Sequence, residues 1–326
     1  MPFSRRNFLK GAAATGAVAA AAATVTAAPA EARENKAMPP KAVGLLYDST
    51  LCIGCKACVV ACREANDMPP EVHTEDKLWD TPLDLSGYTL NVIKVYTEGT
   101  AMHKDQVKDG FAFVKKSCMH CVDPSCVSVC PVSAMRKDPE TGIVSHHPEA
   151  CIGCRYCVAS CPFGVPHFQY DTPTPRIEKC QMCRHLQAVG KIPACAEVCP
   201  TGATLFGPVA GLKAEAERRH SLPPGQTTLF PRKTVDDVAA GHEKAVGHYL
   251  PSTYGEHEMG GTQMMLLSGV PFDKLGYPAL SDTSNASVSE TLQHGIYKNM
   301  AAPVAVLAGL MYAAHKHTKH DGRDED

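Results

Sequence analysis

The chain has 326 residues, enough for two domains and a sizeable core, and its formal net charge is −2. So even a balance of acidic and basic residues argues against nucleic acid as a partner, because phosphate binding favours a basic excess and a basic face. The outlier is cysteine: sixteen of them, beside 25 prolines, 25 glycines and few aromatics, and none is solitary.

The chain opens with "SRRNFLK" at residues 4–10, an alanine-rich run from Gly11 to Ala28, and small residues at "APAEA". A basic start, an apolar run and an A-x-A site predict a signal peptide over residues 1–32, excluded from the fold. Arg5-Arg6 followed by Phe8 and Leu9 has the twin-arginine form, which predicts a periplasmic protein exported already folded.

The cysteines then fall in four quartets. They are Cys52, Cys55, Cys58, Cys62; Cys118, Cys121, Cys126, Cys130; Cys151, Cys154, Cys157, Cys161; and Cys180, Cys183, Cys195, Cys199. Disulfides join elements distant in sequence and do not call for repeated C-x2-C spacing. Structural zinc uses two knuckles separated by a longer gap, which the first and third quartets do not offer. The run C-x2-C-x2-C-x3-C-P is the spacing of bacterial ferredoxins, whose first three cysteines hold one cubane and whose fourth holds its neighbour. Pro131, Pro162 and Pro200 follow three quartets, while Arg63 follows the first. A cubane is installed where thiols are reduced, which suits a protein that folds before export.

Between the second and third quartets, "DPETG" is a turn between two short strands. The second and third quartets therefore predict one ferredoxin-like unit. Between the third and fourth, the proline-rich "PFGVPHFQYDTPTPRIEK" reads as a connection and not as a hairpin. By exclusion the first and fourth quartets form the other unit, closed by "PTGATLFG" after Cys199. The expected fold is α+β: two ferredoxin-like units, one inserted in the other. Residues 33–66 and 176–207 make the first unit and residues 67–175 the inserted one, with strands expected at "LNVIKVYT" and "FAFVKKS".

The ligand-swap rule then predicts four 4Fe-4S clusters. Cys52, Cys55, Cys58 and Cys199 hold cluster 1; Cys118, Cys121, Cys126 and Cys161 hold cluster 2. Cys151, Cys154, Cys157 and Cys130 hold cluster 3; Cys180, Cys183, Cys195 and Cys62 hold cluster 4. Lys56, Arg155, Lys179 and Arg184 flank the loops as solvated cations or as partial offsets to cluster charge. His120 lies inside a cysteine loop, but four cysteines saturate a cubane, so it is expected at the surface. No Gly-rich phosphate loop and no nucleophile–base motif occurs, so no catalytic residue is expected.

Residues 208–295 carry no legible chemistry and are expected to dock on the ferredoxin core and on partners. Met300 to Ala314 then reads "MAAPVAVLAGLMYAA". With the residues just upstream, this predicts a single transmembrane helix over residues 296–314, near the lower length limit. Residues 315–326, with Lys316, Lys319 and Arg323, read as a cytoplasmic tail.

The motifs "CIGCKACVVAC", "CMHCVDPSCVSVCPVSA", "CIGCRYCVASCPFGVP" and "KCQMC" with "PACAEVCPTGA" resemble the four-cluster electron-transfer subunits of membrane oxidoreductases. That group serves dimethyl sulfoxide reductase, polysulfide reductase, formate dehydrogenase and certain hydrogenases. The signal sequence, "GGTQMMLLSGVPFDKLGYP" and the C-terminal tail narrow the resemblance to the iron–sulfur subunit of hydrogenase-2 type periplasmic nickel–iron hydrogenases. The resemblance implies an electron-transfer subunit with no catalytic site, relaying electrons between the hydrogenase small and large subunits and an integral-membrane quinone-reactive subunit. The same wire in a formate dehydrogenase or a sulfur-compound reductase is the alternative.

Overall fold

The computed structural model describes residues 32–69, 80–237 and 239–318. The expected signal peptide lies outside these residues apart from Ala32, as does the tail from residue 319 onward. The described elements are short strands and helices, in an α+β mixture held together by long-range pairing.

In chain order the strands are β1 (Val43–Asp48), β2 (Asn91–Thr97), β3 (His103–Lys104), β4 (Gly110–Ser117), β5 (Met135–Lys137) and β6 (Val144–His146). They continue as β7 (His167–Phe168), β8 (Ile177–Glu178), β9 (Thr204–Pro208), β10 (Thr227–Phe230), β11 (His242–Ala245) and β12 (Met264–Leu267). The central sheet has the order β12-β1-β9. β1 runs antiparallel to β9, with Val43 opposite Pro208 and Tyr47 opposite Thr204. On its other edge it runs parallel to β12, with Leu45 opposite Met264. A strand flanked on both edges and covered on both faces needs a continuous apolar run, and "VGLLY" provides it for β1; the edge strand β12, "MMLL", is fully buried as well.

The helix Val209–Ser221 packs on β1 and β9. It buries Val209, Leu212, Ala216 and Arg219, whose spacing of three and four residues lines one helical face. Arg219 carries its charge into the core and meets Asp48, at the end of β1, with Nη1 2.7 Å from Oδ2. Glu215 Oε1 accepts from Arg219 Nε at 2.8 Å, and the Tyr249 hydroxyl donates to Asp48 Oδ2 at 2.7 Å. The other Asp48 oxygen accepts from the Thr50 backbone N–H and hydroxyl. This buried network therefore braces the turn that leads into Cys52.

The expected strands at "LNVIKVYT" and "FAFVKKS" are present as β2 and β4, antiparallel with Asn91 opposite Ser117. The "DPETG" turn joins β5 to β6, and Asp138 Oδ1 accepts from the Thr141 N–H and hydroxyl and the Glu140 N–H. The segment from Cys161 to Cys180 differs from the expectation of a plain connection. It closes a two-residue antiparallel ladder, with His167 opposite Glu178 and Phe168 opposite Ile177. Pro173 and Pro175 lie in the loop beyond the ladder, where no N–H is needed, so they limit its length without preventing it.

The expected transmembrane helix is absent. Residues 285–318 form two helices, Asn285–Asn299 and Ala301–Thr318, and among the described residues none is long and apolar enough to cross a membrane. The first helix mixes polar residues with Val288, Leu292 and Ile296. In the second, the uncharged run ends at Ala314 and is built largely of alanine and glycine around Pro303. Its fourteen residues span about 21 Å as a helix, against about 30 Å of hydrocarbon.

By contact density residues 34–286 form one compact unit, which holds all sixteen cysteines. Of the described residues, 32–33 and 287–318 belong to the other, in which Arg33 Nε donates to Glu290 Oε2 at 2.8 Å.

Candidate metal centre

The first C-x-x-C turn of each quartet uses the same backbone device. The residue before the second cysteine adopts a left-handed conformation: Gly54 (φ 69°), His120 (48°), Gly153 (69°) and Met182 (51°). Such a residue reverses the chain within one turn, so both flanking sulfurs look to the same side. In three of the turns it also aims an amide at sulfur. The N–H of Gly54 donates to Cys52 Sγ at 3.4 Å, that of Gly153 to Cys151 Sγ at 3.4 Å and that of Met182 to Cys180 Sγ at 3.3 Å. Cys130 Sγ accepts from the N–H groups of Ala134 (3.2 Å) and Met135 (3.4 Å).

Lys56 and Arg155 are also left-handed, and each precedes a helix, Ala57–Ala65 and Tyr156–Ser160. The first helix carries Cys58 and Cys62 one turn apart, about 6 Å along its axis. They enter different cavities. One is lined by Cys52, Cys55, Cys58 and Cys199. The other is lined by Cys62, Cys180, Cys183 and Cys195. The helix Ala194–Glu197, which carries Cys195, packs against the Cys58–Cys62 helix, and this contact brings the two ends of the motif together.

The other eight cysteines group in the same manner. The thiol of Cys121 is pushed up by burial and then by Cys118, Cys126 and Cys161. That of Cys157 is pushed up by burial and then by Cys151, Cys130 and Cys154. Between groups, Cys157 acts on Cys126, Cys118 on Cys180, and Cys195 on Cys58. The four groups thus adjoin in a row, from Cys151/Cys154/Cys157/Cys130 through Cys118/Cys121/Cys126/Cys161 and Cys180/Cys183/Cys195/Cys62 to Cys52/Cys55/Cys58/Cys199. Cys154 at one end of the row and Cys55 at the other are exposed.

All sixteen cysteines are free thiols. Burial pushes Cys58 and Cys157 up to about 11, and Cys126 and Cys180 up to about 12. Thiolates at these positions need a compensating cation, and iron in a sulfur cage supplies one. Among the described residues no three His, Cys, Asp or Glu side chains close on a point as a single ion requires. The sulfurs stand around cavities, with amides turned toward them, and a polynuclear cubane fits that donor set.

Of the cations beside the loops, Lys179 is fully buried. Its Nζ lies 3.8 Å from Cys118 Sγ, donates to the Cys180 carbonyl at 2.9 Å and also bonds the Val144 carbonyl. Arg155 is exposed, over the rings of Phe168 (5.4 Å) and Tyr170 (5.8 Å), and Arg184 is exposed as well. His120 departs from its expected place at the surface. It is buried, its Nδ1 accepts the Val144 N–H at 3.1 Å, and its Nε2 has no hydrogen-bond partner among the described residues. Lys115, buried against the cavity of Cys62, was missed by sequence reasoning. The available signal was strand alternation: Lys115 shares the face of Phe111, Phe113 and Ser117 on β4.

Residues 110–209 match the family described as a 4Fe-4S dicluster domain. The chain is 45% identical over 329 residues to the hydrogenase-2 operon protein HybA of Escherichia coli O157:H7, covering 99% of both chains. It is 33% identical over 286 residues to the iron–sulfur subunit of the nitrate-inducible formate dehydrogenase of Escherichia coli K12, covering 87% of each. With the formate dehydrogenase-O iron–sulfur subunit of the same strain it shares 34% identity, over 80% of this chain and 78% of the other. An iron–sulfur donor set in the core and 45% identity along the whole length lead to one conclusion: the chain belongs to the family of the hydrogenase-2 operon protein HybA.

Proposed function

We propose that this chain is the electron-transfer iron–sulfur subunit of a hydrogenase complex and is not itself catalytic. In this reading it carries four 4Fe-4S clusters. Cys52, Cys55, Cys58 and Cys199 would hold the first, and Cys118, Cys121, Cys126 and Cys161 the second. Cys151, Cys154, Cys157 and Cys130 would hold the third, and Cys180, Cys183, Cys195 and Cys62 the fourth. Bound there, such groups supply reversible one-electron storage.

The observation that carries the reading is the row of four cysteine groups, with exposed thiols only at its two ends. Beside Cys55 stands Ile53, 54% exposed, and beside Cys154 stands Ile152, 65% exposed. An apolar side chain next to an exposed ligand offers each end of the row a surface for a redox partner. The partners in this reading are the small and large subunits of the hydrogenase at one end and an integral-membrane quinone-reactive subunit at the other. Residues 33–66 with 176–207, and the inserted residues 67–175, would be the two ferredoxin-like units. The twin-arginine sequence supports export of the loaded protein to the periplasm.

A second reading assigns the same wire to a formate dehydrogenase, and the relatives with 33% and 34% identity favour it. Affinity purification of the tagged protein from its native cell, with identification of the catalytic subunit that accompanies it, separates the two. A nickel–iron hydrogenase supports the first reading, and a molybdenum enzyme replaces it with the second. Iron well below about sixteen atoms per chain, four for each expected cubane, refutes the four-cluster assignment.

A further inference from the structure

Lys115 is the most unusual charge in the molecule. It sits on β4 with 0% exposure, and among the described residues its Nζ has no hydrogen-bond partner. Among the described residues no carboxylate forms an ion pair with it, whereas the equally buried Lys179 is satisfied by two carbonyls. An ammonium taken out of water with no partner is strongly unfavourable, so something at this place must offset it. Sulfurs line its cavity, together with Asn66, Asn91 and Gln181. Lys115 lines the cavity of Cys62, Cys180, Cys183 and Cys195, and the groups that act on its charge are Cys195, Cys58, Cys62 and Cys180. Three of the four belong to the Cys62 group and one, Cys58, to its neighbour. The ammonium therefore stands at the junction of two adjoining cysteine groups.

We propose that Lys115 is the built-in counter-charge shared by these two groups, raising the reduction potential of the iron–sulfur centres they would hold. The proposal rests on the reading of the cysteine groups as cluster ligands. Its physics is simple. Reduction adds one negative charge to a centre, and a fixed positive charge buried beside it favours the reduced form. Because solvent is excluded, the effect is not screened as it would be for a surface lysine. It is also local. Lys179 lies beside Cys118 and Cys126, so that group keeps its own neighbouring cation.

The test compares wild type with Lys115→Met, Lys115→Gln and Lys115→Arg, and with Lys116→Met as a control on the same strand. Iron and sulfide are assayed, and each centre is titrated redox-wise under electron paramagnetic resonance. The expected result is that Lys115→Met lowers two of the midpoint potentials by roughly tenfold in the reduction equilibrium, 59 mV for one electron. The other potentials stay in place, Lys115→Arg restores most of the loss, and Lys116→Met shifts none. Fully loaded Lys115→Met with every potential unmoved overturns the proposal. If Lys115→Met does not retain iron, retention by the arginine variant with loss in the glutamine variant supports the counter-charge. Loss in both, or unshifted potentials in a loaded glutamine variant, overturns it. Wild type without iron overturns the cluster reading itself, and this inference with it.

Discussion

Gly54 and Gly153 occupy the same place in the same motif, "CIGC", with the same φ of 69°, yet they face different neighbours. A Cβ on Gly54 would stand 2.4 Å from Cε1 and Cζ of the buried Phe113 ring, whereas a Cβ on Gly153 meets nothing nearer than Phe168 at 3.6 Å. Gly153→Ala therefore carries only the left-handed backbone penalty, about 1–2 kcal/mol. Gly54→Ala adds an overpacking cost of about 1–3 kcal/mol, because Phe113 is packed between strands and cannot swing away. The apparent midpoint of thermal unfolding, followed by circular dichroism at one fixed scan rate, reads the difference. At about 2–4 °C per kcal/mol, Gly54→Ala should fall several degrees below Gly153→Ala. Phe113→Leu removes Cε1 and Cζ and should recover part of the loss in the Gly54→Ala background, giving a positive coupling in the double-mutant cycle. Equal losses for the two alanine variants, or no coupling with Phe113, would refute the reasoning.

Arg219→Met leaves Asp48 buried without its cation, while Glu215 keeps Arg218, and should cost about 3–5 kcal/mol. Urea unfolding measures it, and a loss under about 1 kcal/mol would show that the network is dispensable. His146 is buried, and desolvation, followed by the Lys179 charge, lowers its pKa to about 4 from the ordinary 6.5. The fold thus favours the neutral ring, so its contribution is complete above pH 6.5 and is lost as pH falls from there toward 4. Urea midpoints for wild type should drop more steeply over that interval than those of His146→Gln, and parallel slopes would refute the assignment.

How much of the site was legible depends on how local each feature is. A C-x-x-C turn is written in four residues, so the loops at Cys52, Cys118, Cys151 and Cys180 could be read from spacing alone. The strands at "LNVIKVYT" and "FAFVKKS" were equally readable, because alternation along one strand is a local pattern. The apolar tail was read as a membrane span because length and hydropathy sit close together there. The helix has eighteen residues, and its uncharged run of fourteen, rich in alanine, is too short and too weakly apolar for that purpose. The ladder at His167–Phe168 was hidden by prolines that turn out to lie in its loop.

The sequence by itself determined which residues carry sulfur, how the turns present it, and which family the chain belongs to. Tertiary structure alone decided that β12 joins β1 from more than two hundred residues away, and that His120 and Lys115 are buried. The reason is physical. Turn geometry follows from neighbours in the chain, whereas the burial of a single charge is set by groups that meet only when distant segments pack. Lys115 on β4 meets Cys62 from one helix and Cys195 from another, a juxtaposition that no local stretch of sequence contains.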